Sequence, residues 1–337
     1  MEPLTTGLVL AADAAIDLQM HTTYSDGKWT PEQLIDYLVG ERFALVAVTD
    51  HERVDTIASL RRLAAPKRLH VLAAAEMSTT WNGEATDILC YGFALQENEL
   101  YRLAQDVLHQ QRAITREVYA KLLQQGYTFP QKQDVLRASG GEPRNVDDLV
   151  SLLEQHAYAT NVDGAAKIIW DAGFFYATND IAAVVEATHR CGGVCLIAHP
   201  GRGGENCTRY DAALFDKLRQ EVPIDGFEVY YPTHTPEQTA MYLEYAQKHH
   251  LLTSSGSDSH GPDKKPIKYS ADLRRADIRL VGNSFEDEFT RRSTPEFNFI
   301  AWFDPKHVPH PLWDRDLTLT RYLGRHGGSP YYQLKQQ

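Results

Sequence analysis

Short apolar runs that end on a histidine or an acid alternate with amphipathic stretches over the first third of the chain. Residues 16–20 predict a short strand. Thr30-Pro31-Glu32-Gln33 then predicts a helix start, with Thr30 as N-cap, Pro31 at the first helical position and Gln33 closing a capping box. Leu34, Tyr37 and Leu38 give that helix an apolar face. Residues 44–48 form a buried-type strand running into Thr49-Asp50-His51, and a helix follows through Ile57, Leu60 and Leu63. A strand over residues 70–75 ends at Glu76, and another over 88–91 has Asp87 at its start. Such alternation predicts a parallel sheet or barrel.

The pattern changes near Gly92. Leu100, Leu103, Val107, Ile114, Val118 and Leu122 recur at helical spacing, so residues 98–126 read as one long helix capped by Asn98. Shorter helices are expected over 147–156, 163–172 and 179–189, with a loop at 137–144. Alternation resumes at Gly192, with strands at 194–198, 226–230 and 251–255 and helices at 211–220 and from Thr235 through Tyr242 and Ala246. After Pro266 the periodic signals weaken into an aromatic stretch and a Pro-rich one. The expected organisation is a unit built from residues 1–95 and 190–275, a helical insertion at 96–189, and a C-terminal tail at 276–337 packed on the first unit.

At 337 residues, with 43% hydrophobic and 23% charged positions, the chain suits a soluble globular protein. A formal charge of −11 argues against backbone-driven binding to long nucleic acid, which needs a basic face. It leaves room for a small phosphorylated substrate, because metal ions supply positive charge that a residue count omits. No apolar run of about 18 residues occurs, so no membrane span is expected. Glu2, Asp13 and the lack of a basic leader argue against a signal peptide. Cys90, Cys191, Cys195 and Cys207 contain no CxxC pair, and reduced thiols in a cytoplasmic protein are the expectation.

The residues closing the apolar runs carry the chemistry. They are Asp17-Leu18-Gln19-Met20-His21 leading to Ser25-Asp26-Gly27, then Thr49-Asp50-His51, Glu76, Asp87, Ala198-His199-Pro200, and Gly256-Ser257-Asp258-Ser259-His260. Taken singly, His21 reads as a core histidine, Asp26 as turn chemistry, Asp50 as a helix cap and His199 as a loop residue. Glu76 at the end of an apolar strand is costly without a cation or partner. Imidazoles and carboxylates are ligands of divalent metals, and strand ends are where barrel enzymes hold their chemistry. Together the segments indicate a multi-metal hydrolytic site.

This combination of motifs resembles the PHP (polymerase and histidinol phosphatase) family, across roughly residues 15–95 and 190–265. The resemblance implies a distorted seven-stranded (β/α) barrel with a helical insertion acting as a lid. It also implies two or three divalent ions (Mn, Zn, Fe or Mg) and hydrolysis of a small phosphate mono- or diester, such as a nucleotide or short oligonucleotide, by activated water. By motif, one metal group is Gln19, His21, Glu76 and Asp258; a second shares Glu76 and adds Asp87 and His199; a third is Asp26, His51 and His260. Asp50 and His260 are candidate proton carriers, or else a ligand and a supporting group. Arg202, in His199-Pro200-Gly201-Arg202, is a candidate bidentate phosphate contact, and Arg112, Arg116 and Arg144 of the insertion are further candidates.

Two positions depart from the family pattern, since Gln19 and Asp87 stand where histidines are usual. An amide oxygen is a neutral, weaker ligand, so either the metal preference shifts toward Mn²⁺ or Mg²⁺ or one site fills poorly. A Gln19–Asp87 hydrogen bond is a further possibility. Arg144 is followed by Asn145-Val146 where the family's lid has Arg-Pro-His. Metal-assisted C–N hydrolysis and a non-catalytic metal- or nucleotide-binding module are the alternative functions.

Overall fold

The computed structural model describes residues 10–11, 13–136, 141–202 and 208–271. They divide into two compact units, one formed by the segments up to Tyr101 and from Asn179 onward, the other by Arg102–Thr178. The expected tail at 276–337 and Cys207 lie outside the described residues.

The first part of the chain contributes β1 (Ala15–Asp17), α1 (Pro31–Gly40), β2 (Leu45–Val46), α2 (Ile57–Ala64), β3 (His70–Val71), β4 (Ala74–Trp81) and β5 (Glu84–Tyr91). Then come α3 (Glu99–Gln124), α4 (Lys132–Val135), α5 (Val146–Gln155) and α6 (Val162–Asp171). The chain returns through β6 (Asn179–Asp180), α7 (Ile181–Arg190), β7 (Val194–Ile197), α8 (Ala212–Glu221), β8 (Gly226–Tyr230), α9 (Pro236–His249), β9 (Leu252–Ser255) and β10 (Tyr269–Ser270).

The fold is mixed α/β. One sheet has the order β10-β1-β2-β3 and the other β6-β4-β5-β7-β8-β9. The pairs β1–β2, β2–β3, β7–β8 and β8–β9 are parallel, as the alternation predicts. β10 pairs antiparallel with β1, and β5 departs further, running antiparallel to both β4 and β7. The cause is local: Asn82 and Gly83 hold φ of 51° and 84°. Positive φ at both central residues is what a two-residue hairpin turn matching strand twist requires. The strand expected at residues 88–91 is thus the second half of a hairpin arm that begins at Glu84.

Main-chain bonds also run from one sheet to the other. Leu18 N donates to Ser255 O at 3.0 Å and His21 N to Ser259 O at 2.8 Å, while Glu76 N donates to Thr49 O at 3.1 Å. The ends of β1, β2, β4 and β9 are thereby held side by side.

Thr30 forms the capping box that the sequence predicts at α1, and a second Thr-Pro-Glu-Gln stretch, Thr235 to Gln238, forms the same box at α9. On α1 the buried face is Leu34, Ile35 and Leu38, with Tyr37 only partly covered. These residues pack with Met20, Val46, Val48 and Leu60 beneath the strand ends. The second unit has its own core of Val107, Val118, Leu122, Leu149, Leu152, Leu153 and Ile169. The helix expected over 179–189 starts later, at Ile181, because Asn179 and Asp180 first pair with β4, and Asp180 then caps α7.

Candidate metal centre

Strand alternation sorts the first motif. Asp17, Gln19 and His21 point one way, and Met20 points into the apolar core on the other. The chain then folds into a tight turn, with Ser25 N and Gly27 N both donating to Thr22 O. A Cβ on Gly27 would lie 2.5 Å from the His21 carbonyl carbon and oxygen, so only glycine lets the turn close onto the strand. Asp50 braces this turn from beneath. It accepts from Thr22 N at 2.6 Å, Thr22 Oγ1 at 2.7 Å and Ser25 Oγ at 2.8 Å. The turn in turn presents Asp26.

His199 and Asp258 hold φ of 30° and 51°, a costly region for residues other than glycine. Each is pinned there. His199 N donates to Glu228 Oε2 at 3.1 Å, and Asp258 N donates to Gln19 O at 2.9 Å.

The side chains converge. His21 is stacked between His51 and His260, with ring centroids 4.9 Å and 4.2 Å away. Its Nε2 lies 3.1 Å from Glu76 Oε2 and 3.2 Å from Asp258 Oδ1, and its Nδ1 lies 3.5 Å from Asp26 Oδ1. His260 Nε2 approaches Asp26 Oδ2 at 3.1 Å, and His51 Nε2 approaches the same oxygen at 3.9 Å. On the far side of Glu76, Oε1 lies 3.1 Å from His199 Nε2, which is 3.9 Å from Asp87 Oδ2.

Three sets have ligand atoms within 4.8 Å of one another: His21–His51–Glu76, His21–Asp26–His260 and Glu76–Asp87–His199. The last is the second group that the motifs imply. Gln19 Nε2 donates to Glu76 Oε2 at 3.0 Å, so its amide hydrogen bond reaches Glu76 rather than Asp87.

The electrostatics explain why such a cluster wants cations. Burial disfavours charge on His21, but Asp258, Asp26 and Glu76 outweigh it and hold the imidazole protonated well above its ordinary pKa. For His51 burial is likewise outweighed, by Glu76 and Asp26, and its pKa rises to about 9. Burial also opposes ionisation of Asp26, Glu76 and Asp258, yet the histidines keep all three carboxylates well below the usual range. Asp87 is raised, by burial and then by the charge of Glu76.

Stacked imidazolium rings beside crowded carboxylates are a strained way to balance charge, and divalent ions replace those protons directly. The buried polar atoms agree. Gln19 Oε1 and His51 Nδ1 are buried without a hydrogen-bond partner. Unpartnered buried donors and acceptors are rare and call for an ion or water. The residues therefore fit a divalent metal cluster.

Arg202 places Nη1 3.8 Å from Asp258 Oδ2. Arg112, Arg116 and Arg144 belong to the second unit, where Arg144 Nε lies 3.5 Å from Asp148. Four neighbours of the cluster have no role assigned from the sequence, although Asp17 opens the first motif. Asp17 accepts from Ser257 N at 3.0 Å and Ile267 N at 2.9 Å, and burial raises its pKa to about 7. Glu228 is fully buried in β8, and burial, then Asp258, raise it well above the carboxylate range. Tyr231 OH donates to Asp258 Oδ2 at 3.0 Å, and Lys264 Nζ does so at 3.2 Å. A charge inside the apolar run Gly-Phe-Glu-Val-Tyr was the available signal for Glu228; Tyr231 and Lys264 carried none.

The chain is 26% identical over 274 residues to a 3′,5′-nucleoside bisphosphate phosphatase of Chromobacterium violaceum, a match spanning 77% of this chain and 93% of that protein. It is 28% identical over 260 residues to the 5′-3′ exoribonuclease Rnm of Salmonella typhimurium, spanning 73% and 85%. A solved structure from Bifidobacterium adolescentis, described as a metal-dependent phosphoesterase, shares the fold with a TM-score of 0.66 at 20% identity, over 79% of this chain and 95% of that one. No family model matches the chain.

Proposed function

We propose that this protein is a metal-dependent phosphoesterase of the PHP type that hydrolyses a small phosphate mono- or diester, such as a nucleotide or the end of a short oligonucleotide. One observation carries the reading. Glu76 turns one carboxylate oxygen toward His21 and the other toward His199, each at 3.1 Å, and so joins two sets of metal-ligating atoms. The names of the two sequence relatives support it.

The residues that would hold two or three ions (Mn, Zn, Fe or Mg) are Gln19, His21, Asp26, His51, Glu76, Asp87, His199, Asp258 and His260. Clustered divalent ions acidify water and neutralise phosphoryl oxygens during in-line displacement. This chain's own groups orient and exchange protons around that chemistry. His260, 32% exposed in its side chain, is the histidine placed to pass a proton to solvent. Asp50, with its carboxylate taken up by Thr22 and Ser25, keeps Asp26 in position. Arg202 supplies a cation for the phosphoryl group.

The two sheets are read as one distorted seven-stranded barrel, with β1, β2, β4, β5, β7, β8 and β9 following edge to edge. The main-chain bonds between Leu18 and Ser255 and between Thr49 and Glu76 support closure. A cytoplasmic location is part of the reading. Cys90, Cys191 and Cys195 are free thiols, and no helix among the described residues is long and apolar enough to cross a membrane.

The test is turnover of p-nitrophenyl phosphate and of its bis ester by protein of measured metal content, with Mn²⁺ first and then Zn²⁺, Fe²⁺ and Mg²⁺. Release of p-nitrophenol from either ester supports the assignment. Silence toward both, with metal bound, sinks it.

A further inference from the structure

Asp258 divides the site. Its Oδ1 faces the histidines, 3.2 Å from His21 Nε2 and 3.5 Å from His260 Nδ1. Its Oδ2 faces three donors: Tyr231 OH at 3.0 Å, Lys264 Nζ at 3.2 Å and Arg202 Nη1 at 3.8 Å. Tyr231 and Lys264 fill the two lone-pair sites of this oxygen, and Arg202 adds a second positive charge just beyond hydrogen-bond range of it. The Asp258 side chain is 4% exposed, whereas those of Lys264 and Arg202 are 43% and 47% exposed. The carboxylate is therefore the floor, and the two cations stand on its solvent side.

Lys264 is also held in place from its own backbone. Its N donates to Gly261 O at 3.0 Å, and its carbonyl accepts from Ser259 Oγ, which in turn accepts from Trp29 Nε1 at 3.2 Å. The ammonium lies 5.7 Å from the centre of the Tyr231 ring, within cation–π range. An exposed lysine–carboxylate pair contributes little to stability, so this degree of fixing asks for another use.

We propose that Lys264, acting beside Arg202, is a specificity-determining residue that selects dianionic phosphate groups, and so terminal phosphomonoesters over diesters. The proposal rests on the phosphoesterase reading above. Tyr231 also donates to Asp258 Oδ2, so the Lys264 ammonium can exchange this oxygen for one of an incoming phosphate, with the positive charge of Arg202 beside it. A monoester offers three terminal oxygens and a second negative charge, ionising near pH ~6; a diester offers two oxygens and one charge. Two cations at one point match the monoester, through charge-assisted hydrogen bonds.

The test is calorimetric titration of inorganic phosphate and of dimethyl phosphate into the Mn²⁺-loaded protein at pH 8, for wild type, Lys264→Ala and Lys264→Arg, with metal per chain measured. Expected is about a tenfold loss of phosphate affinity in Lys264→Ala, recovery in Lys264→Arg, and dimethyl phosphate binding unchanged. Lys264→Ala should lose kcat/KM for p-nitrophenyl phosphate by a similar factor, but not for the bis ester, and Lys264→Arg should regain it. Equal phosphate affinity in wild type and Lys264→Ala overturns the proposal. So does an equal loss for both ligands, or a fall in bound metal, either of which makes Lys264 only a support for Asp258. Wild type that binds phosphate through Lys264 but cleaves no ester overturns the phosphoesterase reading and leaves the phosphate selection standing. Wild type that binds no phosphate overturns both.

Discussion

Gln19 Nε2 donates to Glu76 Oε2 at 3.0 Å, and both side chains are buried. The amide thereby occupies a carboxylate oxygen that also lies against His21, while its own Oε1 has no partner. An imidazole at this position would offer a stronger, borderline-soft ligand. Gln19→His should raise Zn²⁺ affinity by about tenfold or more, and raise metal per chain where wild type is under-filled. Competition titration with a chelator and elemental analysis check this. No gain in either quantity rules out a site weakened by Gln19.

Asp50 distinguishes bracing from proton transfer. Its carboxylate accepts three hydrogen bonds from Thr22 and Ser25, and a buried donor left unpaired costs about 1–3 kcal/mol. Asp50→Ala should therefore destabilise the metal-free protein by about 3 kcal/mol and lower metal occupancy, because the turn presenting Asp26 loosens. Denaturant unfolding and metal analysis are the measurements. Full stability and metal content with activity alone abolished would instead make Asp50 a proton carrier.

Legibility of the site followed the physics of each residue. His21, Glu76, His199 and Asp258 were visible because a charged or imidazole group at the end of an apolar run is costly unless it has a purpose. Asp17 entered only as the start of the first motif and Glu228 not at all, since they lie within strands whose neighbours are apolar, and only the folded chain shows what reaches them. Glu228 meets the backbone N–H of His199 through a contact between β8 and the loop after β7, which no local pattern encodes. Helices were read nearly to their ends because their caps are local: Thr30, Thr235 and Asn145 each accept from the backbone three residues on. The antiparallel β5 was missed although Asn82-Gly83 announces it, because strand–helix alternation on either side favoured a parallel reading.

Glycine substitutions test the close approach of the turn to the His21 strand. In Gly27→Ala the new Cβ would sit 2.5 Å from the His21 carbonyl, a main-chain atom that cannot swing aside. The expected cost is ~2 kcal/mol, with loss of metal as Asp26 is displaced. Gly40→Ala, at a helical position with nothing within 4 Å, should instead stabilise by roughly 0.5–1 kcal/mol. Thermal unfolding of the two variants side by side is the check, and equal midpoints would contradict the packing argument.

His234 sets a pH dependence of stability apart from the metal ligands. Gly201 N donates to its Nε2 at 3.0 Å, and its Nδ1 lies 2.9 Å from Val229 O, so the ring is neutral with its proton on Nδ1. Burial is the main reason its pKa falls from 6.5 to about 4. The unfolded chain then binds the extra proton more readily than the folded one, and stability falls as pH drops from 6.5 toward 4. Above 6.5 the contribution is complete; below about 4 it is lost. In the metal-free protein, the stability advantage of wild type over His234→Gln should shrink by ~2 kcal/mol between pH 8 and pH 4.5, allowing for the ring's partial exposure. Denaturant unfolding at the two pH values measures it. An advantage that stays constant, or grows on acidification, would mean that His234 carries no buried neutral imidazole.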